Sequence, residues 1–194
     1  MSKIILATTS PYRREAFKFL GIDFKSEGSN VDESQIERNN PEELVKELSK
    51  LKAEAVVKNH PDAIVIGMDS VGYFNGQILE KPKSRNEAFQ RLESLSEKNH
   101  QFYTGIHIIN AVSKKAISNV VKKEVFMRNL SDKDINKYLD EDLNFNTYAL
   151  GYDPLGHFSS TFVKRIEGSY NNLTRGIPLE EIVEILSEIS YKEE

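Results

Sequence analysis

Apolar and polar positions along this chain switch between the period of a strand and that of a helix. "KIILAT" (3–8) is a short apolar run and predicts a buried strand. Residues 11–20 place Ala16, Phe17 and Leu20 on one helical face, and Gly21 supplies the stop. Residues 22–28 suit a second strand, and "SNVDESQIERNN" is a polar connection. A helix is expected from about Pro41 to Asn59. "AIVIGMDS" (63–70) is the most apolar run and predicts a central strand. Asn75-Gly76 then lies between two short β-like runs, the signature of a type I′ hairpin.

Residues 84–98 read as a helix with Ala88, Phe89, Leu92 and Leu95 on one face and Ser84 and Glu87 as a capping box. Residues 101–112 and 117–128 predict two strands around a "SKK" turn. Residues 130–141 predict a capped helix, 161–170 a strand running into a turn, and 178–190 a closing amphipathic helix. No internal repeat, low-complexity tract or linker interrupts the pattern, so residues 1–194 are expected to form a single domain. Alternating strands and helices make the class α/β. The hairpins imply a mixed sheet.

Composition narrows the functional classes. With 194 residues the chain can bury a proper core. The net charge is −4, the wrong sign for a general nucleic-acid binder. There is no cysteine, which excludes disulfides, thiolate catalysis and cysteine-ligated zinc. No apolar stretch reaches the length of a membrane span, and "MSKIILATTS" reads as a first strand, not a signal peptide. A cytoplasmic location without a membrane partner is the expectation.

Four places carry candidate chemistry. In "TTSPYRREAFKFLG" (8–21), Ser10 suits an N-cap and Pro11 the first helical position. A capping box would then carry Glu or Gln at position 13. Arg13 and Arg14 stand there instead, against the macrodipole, at a cost of about 0.3–1 kcal/mol each. They are either solvated arginines or, with the free N–H groups, an anion site suited to phosphate. Lys52 falls on the same helical face as Val45, Leu48 and Val56. Its ammonium either snorkels to water or points at a ligand. Asp69 ends the most apolar strand, where α/β sheets gather ligands. It would hold Mg²⁺ or accept a proton from water, or else begin an Asx turn.

Lys81, stiffened by Pro82, follows the hairpin and folds back toward Asp69. Asp32 and Glu33 in "VDES" add loop carboxylates. The four histidines (60, 100, 107, 157) lack metal-ligand spacing and read as structural or surface residues. Neither GxxxxGK[ST] nor GxGxxG occurs. Cations beside a carboxylate-held Mg²⁺ fit phosphoryl or nucleotidyl chemistry on a triphosphate.

The same places carry a family resemblance. "ILATTSPYRREAFKFLGIDF" resembles the LAS-x-SPRR-x-ELL-x-x-LG-x-x-F start of the Maf family of nucleoside triphosphate pyrophosphatases. "VDES", "LVKELSKLKAEAV", "VIGMDSVGYFNGQILEKP", "EAFQRLESLSEKNHQFYTGIHI" and "IEGSYNNLTRGIPL" resemble later motifs of that family, in order along nearly the whole chain. The resemblance implies the inosine triphosphatase-like fold: a twisted mixed β-sheet flanked by helices, with two lobes around a central cleft, often as a homodimer. It implies hydrolysis of NTP or dNTP, such as dTTP, UTP or modified nucleotides, to the monophosphate and pyrophosphate with Mg²⁺ or Mn²⁺. Carried over by position, it implies Ser10, Arg13, Arg14, Lys52 and Lys81 as substrate-binding residues. Glu33 and Asp69 would be metal ligands, and Asp69 the catalytic carboxylate. Maf relatives are also linked to arrest of septum formation, so a non-catalytic nucleotide-binding regulator is an alternative.

The chain departs from the pattern in two places. The family's KAG-x-YGIQG is replaced by "NTYALGYDPLGHF" (146–158), which has no Gln and carries Asp153-Pro154. "GYDP" resembles the inosine triphosphatases and implies an inosine or xanthosine triphosphate hydrolase as a further alternative. Asp153 is then either a site residue or a turn former. The C-terminal motif also has an extra residue, Thr174 or Arg175, before Gly176.

Overall fold

The computed structural model describes residues 3–190. Strands β1 (Lys3–Ala7), β2 (Phe24–Glu27), β3 (Ala63–Phe74), β5 (Asn99–Asn110), β6 (Ala116–Met127) and β7 (Val163–Glu167) lie in the order β2-β1-β3-β5-β6-β7. The short strand β4 (Gln77–Leu79) pairs with β3. β1 runs parallel to β2 and β3, and the remaining pairings are antiparallel, so the sheet is mixed.

The helices are α1 (Pro11–Phe17), α2 (Pro41–Val57), α3 (Arg85–Leu95), α4 (Asp132–Glu141), α5 (Tyr170–Arg175) and α6 (Leu179–Ser190). Their starts follow side-chain chemistry. The Ser10 hydroxyl accepts from Arg13 N–H, the Asn40 carboxamide from Glu42 and Glu43, and Ser131 and Asp134 form a full capping box. At α3 the expected box is only half made. Ser84 caps Glu87 N–H, but the Glu87 carboxylate accepts from Lys83 N–H, one residue short of the N-cap.

The apolar faces build two main cores, one at each end of the long strands. Leu6, Ile66, Met68 and Ile106 pack with Phe17 of α1 and Ile182 of α6. Leu92, Phe102, Val125, Tyr138, Tyr152 and Phe162 form the second core under α3 and α4. β5 and β6, twelve residues each, run through both. Where the two lobes meet, a cleft of about 720 Å³ opens. Among the described residues no helix is long and apolar enough to cross a membrane.

Helix α2 lies on the other face of the sheet, unusually close to its backbone. A Cβ at Gly67 would collide with the Ser49 carbonyl and lie 2.7 Å from Ala53 N. One at Gly105 would collide with the Val45 carbonyl. Gly67 on β3 and Gly105 on β5 therefore form the bed for α2, and that closeness sets which α2 side chains reach the sheet.

Most elements lie where the pattern puts them. Two differ. The run after Asp69 does not form a separate strand, because β5 pairs with β3 continuously from Ile64 to Tyr73. The turn into the closing helix contains α5, which is only six residues long and too short to show a period. Asn75 and Gly76 both have positive φ (49° and 78°), as the I′ hairpin requires.

Candidate active site

The cleft starts at a gap in the sheet. β1 pairs with β3 through Gly67, and β4 takes up the same edge only from Gly72. Between them, residues 68–71 of β3 have β5 on one side and no strand on the other. The chain leaving β1 turns away at Thr8–Ser10 and lines the opening. This is the carboxyl end of β1, the usual position for ligands in α/β sheets.

Asp69 stands in the gap and faces α2. Alternation along β3 puts Gly67 and Asp69 on that face, and Met68 and Ser70 on the other. Lys52 donates from α2 to Asp69 Oδ1 at 2.5 Å and lies 2.9 Å from Glu33 Oε1. The Lys52 and Asp69 side chains are each only 16% exposed. Lys52 thus points at a ligand site and does not snorkel to open water. Two acids sharing one cation leave the group with a net charge of −1. Asp69 Oδ2 has no hydrogen-bond partner among the described residues. The Asx-turn role does not apply, because Asp69 lies within continuous strand pairing with Gly105.

The opening helix divides its two arginines. Arg13 turns inward. Its Nε donates to Gly176 O at 2.8 Å, Nη1 to Met68 O at 2.9 Å and Nη2 to Ser70 Oγ at 2.7 Å. It therefore satisfies a carbonyl that the missing strand leaves open. Burial lowers its pKa from the ordinary arginine value, offset in part by the charge of Asp69. Arg14 is exposed and lies outside the cleft lining. The family start, read without a gap, explains this. Ser-Pro-Arg-Arg falls on Ser10, Pro11, Tyr12 and Arg13, and Arg14 takes the unspecified position that follows.

Ser10, Glu33 and Lys81 also line the cleft. The Ser10 hydroxyl is engaged in its cap, with Arg13 N at 3.4 Å. Lys81 is exposed and has no partner among the described residues. Asp32 does not line the cleft; its Oδ1 accepts from Ser34 N at 2.9 Å. None of the four histidines lines it either. His60 meets Glu27, His107 meets Ser118, His157 approaches Asp142, and His100 is buried without a partner among the described residues.

The far wall was not legible as chemistry. Tyr12 bridges the cleft: its hydroxyl lies 3.2 Å from both Thr147 Oγ1 and Tyr148 Oη, and its ring centroid is 5.2 Å from that of Tyr148. Asn144, Leu150, Tyr152 and Phe102 continue this wall. Asp153 is a turn former at the cleft wall. It lines the cleft, and its Oδ1 accepts from Leu155 N at 2.9 Å in an Asx turn. Thr174 and Arg175, either of which could be the extra residue of the C-terminal motif, also line the cleft.

Among the described residues no three His, Cys, Asp or Glu side chains cluster as a metal cage. Glu33 and Asp69 nevertheless converge on one point, the Lys52 ammonium. Mg²⁺ commonly takes one or two carboxylates and completes its shell with phosphate oxygens and water. Two hard oxygen donors in an open cleft fit that ion, carried in with a phosphate ligand. Without cysteine or cleft histidine, the set does not suit zinc.

Comparisons with known proteins bear on the family and the fold. A family model described as "Maf-like protein" matches residues 3–189. The chain is 36% identical over 191 residues to a dTTP/UTP pyrophosphatase of Pelotomaculum thermopropionicum, covering 98% of each. It is 32% identical over 193 residues to a 7-methyl-GTP pyrophosphatase of Nitrosococcus oceani, covering 97% of this chain and 94% of that one. Among solved structures, the Ham1 protein of Staphylococcus aureus superposes with a TM-score of 0.54 at 17% identity, covering 97% of this chain and all of the other. At that identity the likeness concerns the fold.

Proposed function

The chain belongs to the Maf-like protein family, and on that premise we propose that it is a nucleoside triphosphate pyrophosphatase. The substrate would be a nucleotide of the kinds its relatives are named for, and the products a nucleoside monophosphate and pyrophosphate. The observation that carries this reading is the Glu33–Lys52–Asp69 group at the gap in the sheet, in a cleft also lined by Arg13, Lys81 and Arg175.

The chemistry follows from what each side chain offers. Water adds to one phosphorus of the α–β bridge, and the bridging oxygen leaves with the other. Asp69 Oδ2, without a hydrogen-bond partner among the described residues, orients that water and takes its proton. Lys52 fixes the Asp69 carboxylate and adds positive charge where the phosphates gather. Ser10 and Lys81 line the path of the phosphate chain. Arg13 is anchored by three of its five N–H groups, to Gly176 O, Met68 O and Ser70 Oγ, and contributes its charge at the cleft wall. Glu33 and Asp69 would hold Mg²⁺, which supplies charge neutralisation of the phosphates.

Incubation with a panel including dTTP, UTP, 7-methyl-GTP, ITP and XTP in the presence of Mg²⁺, assayed for pyrophosphate, tests the proposal. The expected result is stoichiometric pyrophosphate and monophosphate from at least one of these. Release of orthophosphate alone, or binding without turnover of any nucleotide, would overturn it. Preference for ITP or XTP would favour the reading suggested by "GYDP".

A further inference from the structure

The cations of the cleft are not equally available to an anion. Arg13 has its Nε and both terminal nitrogens donating to Gly176 O, Met68 O and Ser70 Oγ. Lys52 is held between Glu33 and Asp69. Both are fixed to the protein before a ligand arrives. Two cleft-lining cations remain without a hydrogen bond or ion pair among the described residues: Lys81 and Arg175.

Arg175 is the better placed of the two. It ends α5, and Gly176 follows in the left-handed conformation (φ 64°) that turns the chain back. The carbonyl of Gly176 is the acceptor for Arg13 Nε, so the Arg13 guanidinium pins the backbone one residue after Arg175. Arg175 thus has an anchored backbone beside it, is partly buried at the cleft wall, and carries a guanidinium fork with no partner among the described residues. Such a fork binds two oxygens of a phosphate through parallel, coplanar N–H groups, a geometry the ammonium of a lysine lacks.

We propose that Arg175 is the arginine that grips the polyphosphate chain of the ligand, and that Arg13 is a positioning residue that holds it in place. This rests on the pyrophosphatase reading for the identity of the ligand, but not for the existence of an anion site. The assignment gives the two arginines different jobs, set by where their donors already point.

The test uses inorganic tripolyphosphate as the probe, titrated by calorimetry into the intact protein. Arg175→Gln and Arg175→Ala are expected to weaken its binding at least tenfold, with melting temperatures close to that of the unsubstituted protein. Arg175→Lys should recover part of the affinity, because it restores charge without the fork. Lys46→Gln, an exposed cation on α2 outside the cleft, serves as the control for overall charge and should change affinity less than twofold. With a hydrolysed nucleotide, Arg175→Gln should raise KM more than it lowers kcat. Binding within twofold of the original in both Arg175→Gln and Arg175→Ala would overturn the proposal. So would an equal loss in Lys46→Gln, or no binding of tripolyphosphate at all. If Arg175-dependent binding is found but no nucleotide is hydrolysed, the pyrophosphatase reading fails and this one stands.

Discussion

The Lys52 ammonium on α2 lies 2.5 Å from the Asp69 carboxylate on β3, and a second acid, Glu33, completes the group from a loop. The contact exists because Gly67 and Gly105 let α2 settle onto the sheet backbone. A general acid–base group typically contributes about 10²–10⁴-fold to a rate. Asp69→Asn keeps the size of the side chain and removes its charge. It should lower kcat by about that factor in a pyrophosphate-release assay, with circular dichroism unchanged. Activity within tenfold of normal would remove Asp69 from the proton-transfer role.

Gly67→Ala tests the bed of α2 directly. The new methyl would overlap the Ser49 carbonyl, which belongs to a helix backbone and cannot rotate away. Overpacking of this kind costs about 1–3 kcal/mol. Urea unfolding should show a lower midpoint with an unchanged slope. Activity should fall too, because α2 carries Lys52. The same methyl at Gly76, where nothing lies within 4 Å, meets no neighbour and acts only through its positive φ.

Arg13→Lys keeps the charge and loses the fork. One ammonium cannot reach Gly176 O, Met68 O and Ser70 Oγ together. Hydrogen bonds to charged groups contribute about 1.5–3 kcal/mol each. The substitution should destabilise the protein by a few kcal/mol on that scale. Amide hydrogen exchange should quicken across residues 170–176, which Arg13 ties to β3. Unchanged exchange there would show that α5 is held by its packing alone.

Two buried bases make stability depend on pH. Lys123 is 2% exposed beside the Phe102 ring and its Nζ has no hydrogen-bond partner among the described residues. Burial lowers its pKa to about 6, against a weak opposing pull from Glu180. His100, also buried and unpartnered, is lowered by burial to about 4. In each case the unfolded chain binds more protons between the folded and the ordinary pKa, so stability rises with pH across that window. For Lys123 the window runs from about 6 to 10.5, and for His100 from about 4 to 6.5. Lys123→Met should raise the urea midpoint at pH 7 and flatten its climb between pH 6 and 10. An equal climb in the variant would assign the pH dependence to other groups.

Parts of the site were legible in the sequence because they depend on local geometry. Lys52 shares a helical face with Val45, Leu48 and Val56, and the structure keeps it on that face. Asp69 ends an apolar run, and it lies where β1 has turned away. The Asn75-Gly76 hairpin follows from the need for two positive φ angles, and it returns the chain so that Lys81 borders the cleft. Arg14 shows the limit of position-by-position reading. It adjoins Arg13 in sequence, but one residue is a hundred degrees around a helix, and that turns it away from the cleft.

The sequence by itself determined most strands and helices, the mixed character of the sheet and most of the charges that collect in one cleft, with Arg14 named there wrongly and Arg175 not singled out. Each depends on the spacing of side chains within a few turns of chain. Only the tertiary structure decided which of those charges are free. Arg13 meets Gly176 across 163 residues and Asp69 meets Lys52 across 17. The gap on β3 exists because β1 ends before β4 begins. Such contacts depend on how distant segments pack, and no local period records them. A charge is therefore legible as present, but whether it is already paired is a property of the folded chain.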